Sequence, residues 1–181
     1  KLVVWKELQA RGLYGKEGAF SYEGVVEWAE EYGNRLCDLI CDTSELLEEG
    51  HRQGKNILFE AQLGTLRDLN YGIYPFSTSS CTLAAYAPVG GGLFGCNPDQ
   101  VIAVAKAFST CVGEGPFVTR MDAAEADELR ESANEYGAAT GRARTIGHFD
   151  ALATRYGAWA QGATEVALTK LDSISGWKSL K

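Results

Sequence analysis

Towards its end the chain reads TEVALTKLD, an apolar run that delivers Lys170 and Asp172 together at its polar end. In α/β sheets, ligands bind at such strand ends. A Lys-x-Asp pair there suits guanine. The aspartate can accept from both N1–H and the exocyclic amine, while the lysine's methylene stem lies along the purine face. Charge-assisted bidentate contacts of this kind are among the stronger hydrogen bonds proteins make. The plain alternative is a solvated strand end, since charges mostly sit exposed. Upstream, GAATGRARTIG sets Thr140, Arg142 and Arg144 between glycines. In an extended backbone the two arginines splay as forks that fit carboxylates and phosphates, and a solvated surface loop is the alternative. A third polar concentration is FEAQLGTLRDLNYGIYPFSTSS, residues 59–80, which holds more polar handles than a core segment needs.

Other candidates are weaker. Gly90, Gly92 and Gly95 formally satisfy G-x-G-x-x-G, but that fingerprint needs a strand before it and a helix opening within it. YAPVGGGLFGCNP reads as loop on both sides. No G-x-x-x-x-G-K-[ST] occurs, so a nucleoside triphosphate's phosphate cradle is expected outside this sequence. His51 is expected on an exposed helix and His148 packed beside Phe149, neither as a catalyst. The five cysteines, 37, 41, 81, 96 and 111, form no C-x-x-C. They read as free, mostly buried thiols in a reducing compartment, and no metal ligand set is assigned.

The elements that must position these residues follow from periodicity. YEGVVEWAEEYGNRL places Val25, Val26, Ala29, Tyr32 and Leu36 at helical spacing. LCDLICD resembles a short strand, and Asp42 and Thr43 are cap candidates for TSELLEEGHRQG, which Gly54 ends. NILFEA suits a buried strand, and APVGGGLFGCNPDQ a long loop. VIAVAKAFSTCV reads as one continuous buried strand, with a helix as competitor. Asp122 caps AAEADELRESANEY, ended by Gly137. HFDALATRYGAWAQG is helical, and TEVALTKLD is the closing strand. This alternation predicts an α/β fold with a mostly parallel central sheet and flanking helices. With 181 residues, 45% of them hydrophobic, and no composition break, residues 1–181 read as a single region without an internal domain boundary. A formal charge of −7, without a basic stripe, argues against nucleic acid and anionic membrane as partners. No apolar run reaches the roughly 18 residues of a membrane span, so a cytoplasmic location is expected.

Taken in order, FEAQLGT, YPFSTSS, VGEGPF, NEYGAATGRAR and LTKLD resemble adenylosuccinate synthetase over residues 56–176. That resemblance implies a GTP-dependent ligase joining IMP and L-aspartate, with Mg2+ as cofactor and GTP as co-substrate. GTP phosphorylates the 6-oxygen of IMP, and the aspartate amine displaces that phosphate. Carried over by position, it implies IMP contacts at Gln62, Thr78, Val112, Gly113 and Arg142. Aspartate contacts fall at Ala138, Ala139, Thr140, Gly141, Arg142 and Arg144, and GTP contacts at Arg144, Lys170, Leu171 and Asp172. A homodimer is implied as well.

Departures from the family pattern are specific. Where F-E-G-A-Q-G-T places glutamine before Gly-Thr, this chain has Leu63, with Gln62 one earlier. Ala139 replaces the first threonine of G-A-T-T-G-R, His148 a customary tryptophan, and Cys81 an asparagine. The family's G-D-E-G-K-G-K phosphate loop, its catalytic histidine and its C-terminal segment are not in this sequence, so the chain reads as an internal piece with no catalytic residue or magnesium ligand of its own. Two alternatives follow: Leu63 and Ala139 together suggest a catalytically silent relative serving as a binding or assembly module, and Leu63 alone a related synthetase for another purine nucleotide such as dGMP.

Overall fold

The Ser21 hydroxyl oxygen accepts from Gly24 N–H at 2.9 Å and so opens helix α1, Tyr22–Leu36. The computed structural model describes residue 10 and residues 21–138 and 141–178. After α1 come α2 (Thr43–Arg52), α3 (Ala87–Gly91), β1 (Ile102–Lys106), β2 (Ser109–Cys111), α4 (Ala123–Ala133), β3 (Thr145–Gly147), α5 (Ala151–Gln161) and β4 (Glu165–Thr169). The described residues fall into two compact units, one ending at Leu46 and the other beginning at Leu47.

In the first unit, α1 has the expected apolar spacing, yet none of its residues is buried, and Trp28 stacks at a tilt on Tyr32 with centroids 5.2 Å apart. LCDLICD is not a strand. Cys37–Leu39 forms one 3-10 turn, with Leu39 and Ile40 exposed. A short apolar run carries no period of its own, and no strand pairs with it among the described residues. Asp42 caps α2 as expected, its Oδ1 accepting from Ser44 N–H at 2.9 Å.

The second unit is an α/β arrangement around a parallel pair, β1 with β4, in register from Ile102 opposite Glu165 to Lys106 opposite Thr169. An antiparallel pair, β2 with β3, lies beyond it. The continuous strand expected over VIAVAKAFSTCV is therefore two. Ala107 and Phe108, both buried, turn into the core between them. Nor is the expected burial complete, because β1 alternates and Val104 is 72% exposed. NILFEA takes no regular structure and joins no ladder among the described residues, and Leu58 is exposed. The predicted loop over APVGGG contains α3, started by Pro88 in its first turn and closed by left-handed Gly92.

Asp122 caps α4 as expected, accepting from Glu125 N–H at 3.0 Å. The helix ends at Asn134 rather than Gly137. Asn134 takes the left-handed conformation at φ 52°, which asparagine tolerates, and the N–H of Glu135 closes on Arg130 O at 2.9 Å. The early stop swings Glu135 inward.

The core gathers Ala107, Phe108, Met121, Ala126, Leu129, Ala133, Ile146 and Ile174, with Trp177 against it. α5 packs on β1 and on the 3-10 turn Thr65–Arg67. Gln161 at its end is fully engaged: Nε2 donates to Thr65 Oγ1 and Thr82 O, and Oε1 accepts from Ala84 N–H. The cysteines are free but not buried: Cys37 and Cys41 are exposed and Cys81, Cys96 and Cys111 half-buried. Their segments lie on turns and strand ends rather than inside the core.

Candidate functional site

Residues 64–82 are folded on a buried carboxylate. Asp68 has no exposed surface. Its Oδ1 accepts from the N–H groups of Asn70 (2.9 Å) and Tyr71 (3.0 Å), and its Oδ2 from Thr82 N–H (2.6 Å) and the Thr82 hydroxyl (3.4 Å). Burial pushes this carboxyl up, but the bonds from Thr82, Tyr71 and Asn70 outweigh it and leave the group below its ordinary 3.8. Gly72 is required here, since a Cβ would lie 2.4 Å from Asp68 O. Asp68→Asn turns an amide N–H₂ against donors and is expected to cost about 2–3 kcal/mol, read as a lower midpoint in urea. The sign with pH is fixed by the lowered value. The stabilisation is complete above 3.8 and fades as pH falls through the lower native value, so the wild type's advantage over Asp68→Asn shrinks in acid.

The Asp68 turn lets the chain double back. Thr78 N–H donates to Arg67 O at 2.7 Å and Leu69 N–H to Ser80 O at 3.2 Å, so FSTSS runs beside residues 67–69, with a cis Tyr74–Pro75 peptide at the bend. Arg67 then reaches the loop after β2: its Nη1 donates to Glu114 O at 2.9 Å and its Nη2 approaches Val112 O at 3.4 Å. The structure thus ties Thr78 to the backbone of Arg67 and the Val112–Gly113 loop to its guanidinium. Gln62 is exposed and lines an open groove of about 1330 Å3 with Leu63, Gly64 and β1, Lys106 included. Thr78, Val112, Gly113, Arg142, Arg144, Lys170 and Asp172 lie outside that groove.

A second cluster forms where α4 ends. Glu135 is 1% exposed. Its carboxylate accepts from Lys106 Nζ at 2.6 and 2.7 Å and from Arg144 Nη1 at 2.7 Å. Lys106 also donates to Thr110 Oγ1 at 2.9 Å. Burial pushes the Lys106 ammonium down, Glu135 pushes it back up through hydrogen bond and charge, and nearby Arg144 and Lys170 lower it again, leaving it below 10.5.

The arginine loop is built on the same spot. Arg144 N–H donates to Glu135 O at 3.1 Å, Gly137 N–H to Arg142 O at 2.8 Å, and Arg130 Nε to Arg144 O at 3.0 Å. Ala138, Gly141 and Arg142 are exposed on this loop; Ala139 and Thr140 lie outside the described residues. Arg144 is therefore not splayed into solvent beside Arg142, because Glu135 draws it inward. Lys170, at φ 62°, donates from Nζ to Ala133 O at 2.9 Å, a cation on a helix's negative end. Leu171 and Asp172 follow, exposed, with Asp172 starting the 3-10 turn Asp172–Ile174. The arginine loop and the Lys-x-Asp strand end thus meet at one helix terminus.

His51 is exposed in the last turn of α2, as expected. His148 stands 3.8 Å from Glu125 and edge-on to Trp177, with Nδ1 buried and without a partner. Sequence reasoning missed Arg67, Asp68, Lys106 and Glu135. Asp68 and Asn70 ahead of Gly72 are a turn signal that could have found the first loop, whereas nothing local marks Glu135 as buried.

A family model described as adenylosuccinate synthetase matches residues 1–181. "Adenylosuccinate synthetase 2" of Pseudoalteromonas translucida (strain TAC 125) is 49% identical over 99% of this chain and 43% of its own length. The adenylosuccinate synthetase of Caldanaerobacter subterraneus subsp. tengcongensis is 43% identical over 94% of this chain and 40% of its own. The chain spans about two fifths of the length of these curated relatives. Among solved structures, fully ligated adenylosuccinate synthetase from Plasmodium falciparum matches 99% of this chain and 41% of its own, with TM-score 0.87 and 27% identity. Cyanophage S-2L succinoaminodeoxyadenylate synthetase, bound to dGMP and dATP, matches 74% of this chain with TM-score 0.55 and 18% identity, a likeness of fold alone.

Proposed function

The chain belongs to the adenylosuccinate synthetase family, and from that premise we propose that it forms the central part of an enzyme that joins IMP and L-aspartate to adenylosuccinate at the expense of GTP. The observation that carries this reading is the meeting of the arginine loop with the Lys-x-Asp strand end at the α4 terminus, where Glu135 and Ala133 O hold Arg144 and Lys170. Such an arrangement suits a site in which an anionic amino acid and a guanine nucleotide lie close together.

In the proposed reaction GTP transfers its terminal phosphoryl group to the 6-oxygen of IMP. The aspartate amine then attacks C6 and phosphate leaves with that oxygen. Positioning and charge neutralisation dominate such chemistry. Thr78 and the backbone of Val112 and Gly113 hold IMP, with Gln62 and Arg142 towards it. Ala138, Ala139, Thr140, Gly141, Arg142 and Arg144 form the aspartate loop, and Arg144, Lys170, Leu171 and Asp172 the guanine end. The acid–base groups are proposed to lie elsewhere in the complete polypeptide, together with magnesium. Among the described residues no group of three or more His, Cys, Asp or Glu could hold a metal ion. These residues do not fit a magnesium centre. A homodimer in the cytoplasm completes the proposal. No described helix is long and apolar enough to cross a membrane.

A second reading, a synthetase for another purine nucleotide, is favoured by one observation. Leu63 is 55% exposed on the groove at φ 74°, a conformation that branched residues adopt at a cost. Calorimetric titration of the complete polypeptide separates the two: IMP binding in preference to dGMP is expected, and the reverse preference supports the second reading. A folded protein that takes up neither nucleotide points to the silent relative.

A further inference from the structure

Arg67 is the point where the two loops assigned to IMP are tied together. Its turn, Thr65–Arg67, is anchored from below: Thr65 Oγ1 accepts from Gln161 Nε2 at 2.8 Å. Its carbonyl accepts from Thr78 N–H at 2.7 Å. Its guanidinium fans out, Nη1 donating to Phe76 O at 2.5 Å and Glu114 O at 2.9 Å, and Nη2 approaching Val112 O at 3.4 Å and Cys111 Sγ. One side chain thus grips residue 76 on one loop and residues 111, 112 and 114 on the other. The loops also touch directly. A Cβ on Gly115, at φ 129°, would lie 3.0 Å from Phe76 Cγ. The guanidinium therefore spans a seam that is already in contact and fixes its width.

We infer that Arg67 is a positioning residue that sets the spacing between Thr78 and the Val112–Gly113 loop, and through it the affinity for the nucleotide that both loops hold. The inference rests on the reading of those loops as the IMP site. Arginine is needed because its planar fork of five N–H donors engages acceptors on two sides at once. A lysine ammonium is one compact centre and cannot reach both loops from the same stem. Arg67 touches no reacting atom in this scheme, so its loss should act on nucleotide binding and not on the chemical step.

The test is Arg67→Lys in the complete polypeptide, with steady-state constants for all three substrates and calorimetric titration of IMP. KM and Kd for IMP are expected to rise about tenfold, equivalent to about 1.4 kcal/mol, with kcat and the KM values for aspartate and GTP within about twofold of wild type. A merely structural role would lower kcat in step with the folded fraction and leave the IMP constants alone. Should the lysine variant fail to fold, Gly115→Ala, which wedges the same seam open from the other side, must give the same selective rise. Unchanged IMP constants in a folded variant overturn the inference while leaving the IMP site intact. A folded wild type without affinity for IMP overturns the site and the inference together.

Discussion

Replacing Glu135 with alanine is expected to cost about 3 kcal/mol of stability, a large share of what holds a domain of this size folded. The residue is 1% exposed and neutralises two cations at 2.6 to 2.7 Å. Removing one partner of a buried ion pair strands the other. Lys106 and Arg144 keep 27% and 29% of their side chains in contact with solvent, which places the cost towards the lower end of the usual range. With a urea slope of about 2 kcal/mol per M the unfolding midpoint falls by about 1.5 M. Adding Lys106→Met to the alanine variant should recover part of the loss, because one stranded charge disappears. If the double variant is no more stable than the single, the cost lies in packing and not in charge.

The pH dependence of that variant is also fixed in sign. Lys106 holds its proton less tightly in the folded chain than at its ordinary 10.5. The resulting penalty is fully present at neutral pH and is relieved as pH rises through the native value towards 10.5. Removing Glu135 takes away the partner that raises Lys106, so the penalty grows and its relief starts at lower pH. The stability deficit of Glu135→Ala should therefore be smaller at about pH 10 than at about pH 7, as denaturation at the two values would reveal. Its functional consequence is local: Arg144 and the loop from Gly137 lose their anchor, and if that loop holds aspartate as proposed, affinity for aspartate is expected to fall with stability.

The second large effect concerns base specificity. If Asp172 accepts from N1–H and the exocyclic amine of guanine, Asp172→Asn replaces one acceptor by a donor and leaves an amine facing an amide. Two charge-assisted hydrogen bonds at about 1.5–3 kcal/mol each imply a loss of roughly 10²–10⁴-fold in kcat/KM for GTP. The same asparagine can donate to the 2-oxygen of xanthine, so xanthosine triphosphate should recover much of the lost activity while IMP and aspartate constants stay unchanged. Asp172 is exposed at the start of its 3-10 turn, away from the core, so the fold should tolerate the change. A variant that loses GTP activity without gaining the xanthine nucleotide removes Asp172 from the base contact.

Much of this was legible because the signals were local. Asp42 and Asp122 sit where cap residues belong and cap the helices they precede. The apolar run before Lys170 is the strand it reads as, paired in parallel with β1. The α/β class followed from that alternation. Apolar runs without a period misled: Cys37–Leu39 is a 3-10 turn and NILFEA joins no ladder, because only a pairing partner, and not the run itself, makes a strand. The break between β1 and β2 is likewise tertiary, since Ala107 and Phe108 are drawn into a core that distant residues supply.

In the candidate site, the motifs named residues one by one, but what holds those residues in place was not legible. Glu135 lies in ESANEYG, a stretch that reads as solvated helix, and only the left-handed Asn134 turns its carboxylate towards Lys106 and Arg144. Arg67 looks like any surface arginine until residues 76 and 114 fold against it. An ion pair across 29 positions and a side-chain hydrogen bond to a carbonyl across 47 leave no mark on local sequence.

The most direct measurement is product formation by the complete polypeptide supplied with IMP, L-aspartate, GTP and magnesium. Adenylosuccinate, GDP and phosphate are expected in equal amounts, and only when all three substrates are present. A folded polypeptide that binds IMP and GTP yet forms no adenylosuccinate would contradict the proposed reaction.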